Sequence, residues 1–255
     1  MTVKQAATTL DICDLWQTCL SFEYDRPRLV DGIAAWLATV PHERILDCAC
    51  GTGFPALDLI AKGFSVTCSD GSIRMLREFE RNAAAAGLRV TPRLMLWEEL
   101  GAFVEASFDV VMCRGSSLIY AGGWDERADP DPSGIARALQ NFAAAARPSG
   151  LVYVDTTSLA NLERGDSERH HYPPRQMDGR TVSLSELVRT DRARRIRTWS
   201  SRIEIDGEPF EFERHSYYLP HDELVEMMQA AGLGDVCRVP IDGEHYDVFV
   251  GRKQP

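Results

Sequence analysis

The sequence predicts an α/β fold, a doubly wound and mostly parallel Rossmann-like sheet, from three observations. Short apolar segments alternate with helical segments between residues 44 and 155, which is the element order of a parallel sheet. Glycines directly follow the first apolar segment, as in loops that bind nucleotide-type ligands. Residues 181–219 instead alternate between apolar and polar, which indicates an added antiparallel region.

The composition is that of an ordinary globular protein and argues against several functions. The 255 residues are 44% hydrophobic and 26% charged, and the formal net charge is −10. Since nucleic-acid binders usually carry a basic surface, no nucleic-acid partner is expected. No apolar run reaches the ~18 residues of a membrane span, so no membrane partner is expected either. The first residues lack the apolar stretch of a signal peptide, and a cytoplasmic location is predicted.

The seven cysteines do not form a recognisable metal or disulfide pattern. There is no Cys-x-x-Cys pair, and no histidine lies close to them in sequence. Several occur in apolar segments, where cysteine packs as a small hydrophobic residue. This usage suits a reducing compartment, and no metal site is predicted.

The chain before the sheet is predicted to be helical. Residues 9–24 place leucines on one side of a helix, and Pro27 is suited to open a second helix that ends at Leu37. We expect residues 1–40 to form a helical cap on a core that spans residues 41–155.

The stretch from residue 44 to residue 70 predicts the first β-α-β unit of that core. Its first strand ends on Asp47, a turn with Gly51 and Gly53 leads into a helix, and the second strand ends on Asp70. Glycines allow the backbone to approach a ligand closely. An acid about 20 residues after the glycine turn can bind two ribose hydroxyls.

Two classes of ligand fit this unit, and Asp47 favours one of them. Residues 51–56 formally match the dinucleotide fingerprint Gly-x-Gly-x-x-Ala. A pyrophosphate would bring two negative charges to the helix N-terminus, where a neighbouring carboxylate repels them. S-adenosylmethionine instead presents an ammonium and a sulfonium, and it is the predicted cofactor. A nucleotide redox cofactor, or a β-α-β unit without a ligand, remain alternatives.

The remaining segments complete the predicted core, the lid and the closing elements. The core continues with a helix at 73–86, strands at 89–94, 107–114 and 151–155, a turn or short helix at 97–104, a loop at 120–132 and a helix at 135–147. Residues 156–219 are predicted to be an inserted antiparallel lid, in which 156–179 is a polar loop and 181–219 a ribbon turning at Asp206-Gly207. Residues 220–255 supply a helix from Pro220 to Gly232 and an antiparallel hairpin of 237–241 and 246–251 around Asp242-Gly243.

Four motifs between residues 44 and 155 together resemble class I S-adenosylmethionine-dependent methyltransferases. They are Asp47–Gly53, Val66–Asp70 with Met75-Leu76, Phe108–Val111, and the turn Arg147–Leu151. Within that superfamily the chain is similar to glycine N-methyltransferases and their sarcosine-methylating relatives. The features that carry this similarity are the loop Ala49–Gly53, Gly63–Thr67, Trp16-Gln17, Trp97, Cys113, Gly115 with Ser117, and Ser216–Tyr218 with Pro220-His221.

The resemblance implies a set of cofactor-binding residues. Asp70 would bind the ribose hydroxyls, and Ala49 and Gly51 would face the methionine part. Leu96 and Trp97 would lie at the adenine. Trp16 and Arg28 would close over the cofactor, and Arg114 would offer its backbone to the methionine part. The full set is Trp16, Arg28, Asp47, Ala49, Gly51, Gly53, Asp70, Gly71, Met75, Leu96, Trp97, Cys113 and Arg114.

The chain departs from the family pattern on the acceptor side. Ser116 and Tyr120 replace an asparagine and a histidine of the family, and Thr157 stands where an arginine holds the carboxylate of glycine. Without that guanidinium a carboxylate loses a bidentate partner, so glycine is not the expected acceptor. Leu96 replaces an asparagine, so Glu98 or a backbone group would make the adenine hydrogen bond.

The reaction implied by the resemblance is an in-line displacement at a methyl group, in which the enzyme mainly positions the nucleophile. The predicted acceptor-side residues are Tyr24, Tyr120, His215 and Tyr217, whose rings could also favour a cationic methyl group. Packing in a core is the alternative for Tyr217, and a surface position is the alternative for His215.

The ribbon contains the one concentration of basic residues in this acidic chain: Arg189, Arg192, Arg194, Arg195, Arg197 and Arg202. A solvated face paired with neighbouring acids is the favoured interpretation. An anionic acceptor bound by the lid, through a carboxylate or a phosphate, is the alternative.

The sequence therefore predicts a methyltransferase that uses S-adenosylmethionine and acts on a small molecule, at nitrogen rather than oxygen or carbon. The alternatives are an O- or C-methyltransferase of a secondary metabolite, a nucleotide-cofactor oxidoreductase, and a binding protein without turnover. A homo-oligomer is possible, because the family that the chain resembles includes oligomers.

Overall fold

The computed structural model describes residues 12–102, 108–121, 132–177 and 179–254. The strands are β1 (Ile45–Asp47), β2 (Val66–Asp70), β3 (Arg93–Leu94), β4 (Phe108–Cys113), β5 (Ala146–Thr156), β6 (Ser167–Met177), β7 (Arg180–Asp191), β8 (Ile196–Ile205), β9 (Glu208–Tyr217), β10 (Leu233–Val239) and β11 (Asp247–Lys253). The helices are α1 (Ile12–Glu23), α2 (Arg26–Leu37), α3 (Ala56–Ala61), α4 (Ile73–Ala85), α5 (Pro132–Ala145), α6 (Leu159–Leu162) and α7 (His221–Ala230), with 3₁₀ helices at Trp97–Ala102 and Ser117–Tyr120.

The core sheet has seven strands in the order β10-β11-β5-β4-β1-β2-β3. The five strands β5, β4, β1, β2 and β3 are parallel to one another. Strand β11 pairs with β5 in the antiparallel direction, and β10 pairs with β11 in the same way. Every residue of β4 is buried, as expected for a parallel strand covered on both faces. The predicted mostly parallel Rossmann-like sheet with a C-terminal antiparallel hairpin is confirmed.

Successive residues of β4 pack in two separate hydrophobic cores, because side chains alternate between the two faces of a strand. Val111 packs with the apolar residues of α5 and α7 on one face. Val110 packs with α2 on the other face. Helix α2 therefore covers one face of the sheet centre, and α5 and α7 cover the other.

Three strands have boundaries that differ clearly from the prediction. Strand β10 is Leu233–Val239 instead of residues 237–241. The third strand is only Arg93–Leu94 instead of residues 89–94. The fifth strand begins at Ala146, before the predicted Pro148-Ser149-Gly150 turn. Its early part is irregular, because the pairing with β4 shifts register between Phe108 and Val110 and Ser149 has a φ of 62°.

The prediction of a polar loop at 156–179 is wrong. This stretch contains α6 and the eleven-residue strand β6, so His170 and His171 lie on a strand. The lid is a separate sheet in the order β6-β7-β8-β9, which makes β6 an edge strand. Pro173 and Pro174 fall where the pairing with β7 shifts register, between Tyr172 and Arg175, and an edge strand tolerates proline at such an irregularity.

The lid sheet packs its apolar end against α1. Val182, Leu184, Ile203 and Phe212 form one buried cluster with Leu15, Cys19 and Phe22. The predicted ribbon with a turn at Asp206-Gly207 is present as β8 and β9. The N-terminal helix thus holds the lid beside the core.

The turn of the last hairpin lies directly on α2. A Cβ at Gly32 would come within 2.1 Å of the carbonyl oxygen of Asp242. At Gly243, where φ is +78°, it would come within 2.6 Å of the backbone nitrogen of Leu29. Backbone contact this close requires glycine on each side, so the first and last parts of the described chain are joined.

No helix within the described ranges has the length and apolar character needed to cross a membrane.

Candidate active site

A cleft of about 530 Å³ opens at the carboxyl ends of the core strands, where ligands bind in sheets of this type. The predicted cofactor residues that line it are Ala49, Gly51, Asp70, Gly71, Met75, Leu96, Trp97 and Arg114. Two predicted acceptor residues, Tyr24 and Tyr120, line it as well. The fold therefore brings most of the predicted site together in one cavity.

Asp70 joins the ends of the first two strands. Its carboxylate accepts the backbone N–H of Gly51 at 2.9 Å and that of Ser72 at 2.8 Å. Burial raises the pKa of Asp70 above its usual value, while these two N–H groups lower it. The Ser72 hydroxyl in turn caps α4, so the acid is held at the start of a helix on the cleft wall.

Asp47, the last residue of β1, directly precedes the glycine loop and is not among the residues that line the cleft. It is 4% exposed, and its Oδ1 accepts the N–H of Ala49 at 3.1 Å. The pKa of Asp47 is raised to about 6, mainly by burial and in part by the charge of Asp70, while the N–H of Ala49 and the charge of Arg114 lower it. A cation bound in the cleft would relieve this repulsion, whereas a pyrophosphate would add to it.

The part of the cleft lining formed by Leu96 and Trp97 is apolar. The indole N–H of Trp97 donates to the carbonyl of Cys48 at 2.8 Å, and its ring meets Phe142 edge-on. Leu96 is 55% exposed on the same wall. A flat aromatic group such as adenine would find an apolar surface here, with Glu98 also on the cleft lining.

Arg114 closes the end of β4 with a buried ion-pair network. Its guanidinium pairs with Glu244, and its Nε lies 3.7 Å from Asp155. Asp155 also accepts the N–H groups of Gly115 at 3.0 Å and Ser116 at 2.5 Å. Burial lowers the pKa of Arg114, but Glu244 and the other neighbours raise it well above its usual value. The ion pairs of Arg114 and the hydrogen bonds to Asp155 thus hold the residues at the floor of the cleft in place.

Several predicted cofactor residues lie outside the cleft lining. Gly53 has a φ of +110°, and a Cβ there would meet Leu57 at 2.5 Å. Cys113 is buried in the core. The Arg28 side chain is 60% exposed and pairs with Asp242. The side chain of Trp16 is outside the described residues. Their roles in cofactor binding remain predictions.

Two predicted acceptor residues also lie elsewhere. Tyr217 is buried in the core cluster of α5 and α7, and its hydroxyl donates to Glu223 at 3.2 Å. His215 contacts Glu213 at 3.2 Å. It projects from the face of β9 opposite to Arg214, because neighbouring strand residues alternate. Their acceptor roles remain predictions without support from the cleft geometry.

Sequence reasoning missed a charged cluster on the inner face of the lid sheet, which contains Glu186, Arg197, Trp199, Ser201 and Arg214. The guanidinium groups of Arg197 and Arg214 each lie 4.9 Å from the centre of the Trp199 ring. The solvated position expected for the ribbon arginines holds for Arg202, which pairs with Glu204 and Glu211. It is wrong for Arg197, which is buried. Arg197, Trp199 and Ile203 are separated by even numbers of residues in β8, which places them on the same face of the strand. This spacing was the signal in the sequence.

Tyr120 connects the cleft to this cluster. Burial raises the pKa of Tyr120, and a hydrogen bond with Arg214 and the charge of that guanidinium lower it. Glu23, at the end of α1, lies near the same cluster. Burial and the charge of Glu186 raise the pKa of Glu23 to about 8. The acceptor side thus combines phenols, arginines and an acid of high pKa.

Comparison with known proteins shows which protein family the core resembles. Residues 45–150 match the family model described as a methyltransferase domain. A crystal structure of an S-adenosylmethionine-dependent methyltransferase from Clostridium acetobutylicum superposes with a TM-score of 0.73 at 16% identity, covering 96% of this chain and 98% of that one. The resemblance to methyltransferases inferred from the motifs is therefore confirmed over residues 45–150.

Two curated relatives show which methyltransferases the chain is similar to in sequence. Glycine N-methyltransferase of Rattus norvegicus is 33% identical over 132 residues, which are 48% of this chain and 44% of the relative. Glycine/sarcosine N-methyltransferase of Halorhodospira halochloris is 28% identical over 130 residues, which are 51% and 46%. The matches span about half the length of these relatives. The similarity to glycine/sarcosine N-methyltransferases is thus confirmed for part of the chain.

Proposed function

We propose that the protein is an S-adenosylmethionine-dependent methyltransferase that transfers a methyl group to an amine nitrogen of a small molecule. The observation that carries this proposal is the acid pair at the glycine loop. Asp47 and Asp70 lie at the ends of adjacent strands inside a methyltransferase domain. Their charges favour a ligand with an ammonium and a sulfonium over a diphosphate.

Each wall of the cleft has a separate part in this reaction. Asp70 binds the ribose hydroxyls, the glycine loop with Asp47 faces the ammonium group, and Trp97 packs at the adenine. The bound cofactor supplies a methyl group already activated by its positive sulfur. Tyr24 and Tyr120 orient the acceptor nitrogen, so that catalysis is mainly positioning.

The phenols of the cleft act as hydrogen-bonding groups rather than as bases. Burial raises the pKa of both Tyr24 and Tyr120 above their usual values, so both stay protonated near neutral pH. An amine that enters in its neutral form presents a lone pair and needs no base in the methyl-transfer step. This favours nitrogen over a hydroxyl oxygen or a carbon, which must lose a proton.

The names of the relatives support nitrogen as the methylated atom, but the acceptor need not be glycine. Thr157 is buried, and its carbonyl oxygen contacts His221 Nε2 at 2.9 Å. No guanidinium therefore stands at the position where the resembling family holds the carboxylate of glycine. We propose a larger amine acceptor.

The first test is the choice of cofactor, measured by calorimetry. We expect S-adenosylmethionine and S-adenosylhomocysteine to bind and NAD to show no heat of binding. The second test is a screen of amines, alcohols and activated carbons with a labelled methyl donor, read by mass spectrometry of the products. Binding of NAD without binding of S-adenosylmethionine would overturn the proposal, and label on oxygen or carbon would overturn its nitrogen part.

A further inference from the structure

The inner face of the lid sheet has an apolar half and a charged half. The apolar half packs on α1. The charged half continues along the same strands with Glu186, Arg197, Trp199, Ser201 and Arg214, which the register places side by side. Glu186, Arg197, Ser201 and Arg214 are buried. Burying charged side chains on a sheet costs free energy unless they are paired and hydrogen-bonded.

Arg197 is the group in this cluster whose hydrogen-bonding capacity is least used. Its side chain is 2% exposed, yet its Nε and Nη1 have no hydrogen-bond partner among the described residues. The Oε1 of Glu168 lies 3.9 Å from Nη2, which is beyond hydrogen-bonding distance. A buried guanidinium in this state carries an uncompensated desolvation cost, which a bound anion would offset.

The cluster is rigid enough to be a binding site. The indole N–H of Trp199 donates to the hydroxyl of Ser216 at 3.1 Å, which fixes the ring. The ring makes cation–π contacts with both Arg197 and Arg214, each 4.9 Å from its centre. Glu186 accepts the hydroxyl of Ser201 at 2.8 Å. The donors are thus held in place before any ligand arrives.

The cluster lies next to the acceptor end of the cleft. Tyr120 lines the cleft and is hydrogen-bonded to Arg214. Tyr120 and Tyr246 are also close enough to Arg197 to raise its pKa, while burial lowers it. A molecule with its nitrogen at Tyr24 and Tyr120 would extend past Tyr120 toward these arginines.

The charges of the cluster favour a ligand with one negative charge. Arg197 and Arg214 each have an acid 3.9 Å away, Glu168 and Glu186 respectively. A dianion such as a phosphate monoester would therefore face two carboxylates as well as two guanidiniums. A carboxylate matches the planar fork of a guanidinium and brings only one charge.

We infer that the lid carries a carboxylate-binding subsite for the methyl acceptor, centred on Arg197 beside Trp199. This inference rests on the proposed function and names the acceptor class as an amine with a remote carboxylate. The subsite is on the lid wall and not at the end of β5, where Thr157 lies. The acceptor must therefore reach from the cleft to the lid.

Binding of small probes to the protein loaded with S-adenosylhomocysteine tests the subsite. The probes are benzoate, phenyl phosphate and benzamide, titrated by calorimetry and by NMR of the arginine Nε–H groups. We expect saturable binding of benzoate at least tenfold tighter than that of benzamide or phenyl phosphate. The Nε–H signal assigned to Arg197, by its loss in Arg197→Lys, should shift with benzoate.

Three variants at two positions of β8 provide the comparison. Arg197→Gln should lower the affinity for benzoate at least tenfold, and Arg197→Lys should lower it by less. Neither variant should change the affinity for S-adenosylhomocysteine. Arg202→Gln, an exposed arginine of β8, should leave benzoate binding unchanged. Equal binding of benzoate and benzamide, no benzoate binding by the wild-type protein, or unchanged binding in Arg197→Gln would overturn the inference. Loss of S-adenosylhomocysteine binding by the wild-type protein would instead overturn the proposed function, and the probes can then be titrated without it.

Discussion

The core sheet and the lid sheet bury arginine in different ways. Arg114 of the core pairs with Glu244 and lies close to Asp155, which are themselves buried. Arg197 of the lid has its nearest acid 3.9 Å away and two nitrogens without a hydrogen-bond partner in the described part of the chain. The Arg114 guanidinium has a directly paired acid, although its Nε also lacks a hydrogen-bond partner among the described residues. The Arg197 guanidinium has no acid within hydrogen-bonding distance, and we infer that a ligand supplies one. The difference separates a charge that holds the fold from a charge that awaits a partner.

The largest effect is expected from Arg114→Met compared with Arg197→Met. Removing Arg114 leaves Glu244 and Asp155 buried without a counter-charge, which should lower the free energy of unfolding by about 3–5 kcal/mol. Removing Arg197 also removes a poorly compensated buried charge, so the change should stay within about 1 kcal/mol. Urea unfolding followed by circular dichroism measures both. Equal losses would show that Arg197 belongs to a closed structural network.

Asp70→Ala tests the acid wall of the cleft. The loss of two hydrogen bonds to a carboxylate should weaken S-adenosylmethionine binding by about 2 kcal/mol, or roughly 30-fold. Glu80→Ala, an exposed acid of α4, is the matched control and should bind as the wild-type protein does. Unchanged affinity in Asp70→Ala, measured by calorimetry, would remove Asp70 from the ribose site.

The raised pKa of Asp47 predicts a pH dependence of cofactor binding. Burial raises this pKa to about 6, so the protonated fraction grows as the pH falls below that value. A cationic ligand prefers the carboxylate form, so the affinity for S-adenosylmethionine should fall by up to about tenfold per pH unit below 6. Asp47→Asn should flatten the profile between pH 5 and about 7. A wild-type affinity that stays level over this range would argue against an ionised Asp47 in the complex.

The smallest effect is expected from Arg28→Ala. The Arg28 and Asp242 side chains are 60% and 64% exposed, and solvent screens such a pair strongly. The dissociation constant of S-adenosylmethionine should change by less than about twofold, since this arginine lies outside the cleft lining. A tenfold weakening would instead support the sequence prediction that Arg28 closes over the cofactor.

The cofactor side of the cleft could be predicted because its signals are local. Asp47, Gly51 and Gly53 fall within seven consecutive residues, and Asp70 ends the next strand. One β-α-β unit brings them together whatever the rest of the chain does. The alternating pattern likewise located β8, β9 and their turn.

The lid site could not be predicted in the same way, because it depends on strand register. Arg197, Glu186 and Arg214 come from three strands, and their meeting requires the pairings of Glu186 with Ser201 and of Trp199 with Arg214. The edge strand β6 was missed for a related reason. Pro173 and Pro174 argue against a strand in sequence, and only an edge position with a register shift accommodates them.

The close contact of Gly32 and Gly243 with the opposite backbone has a consequence for synthesis on the ribosome. Part of the surface on which α2 packs comes from Asp242 and Gly243, more than 200 positions later in the chain. A nascent chain that has not yet reached Asp242 cannot bury this face of α2. Contacts of this sequence separation slow folding, so α2 stays partly uncovered until residues 242 and 243 have been synthesised.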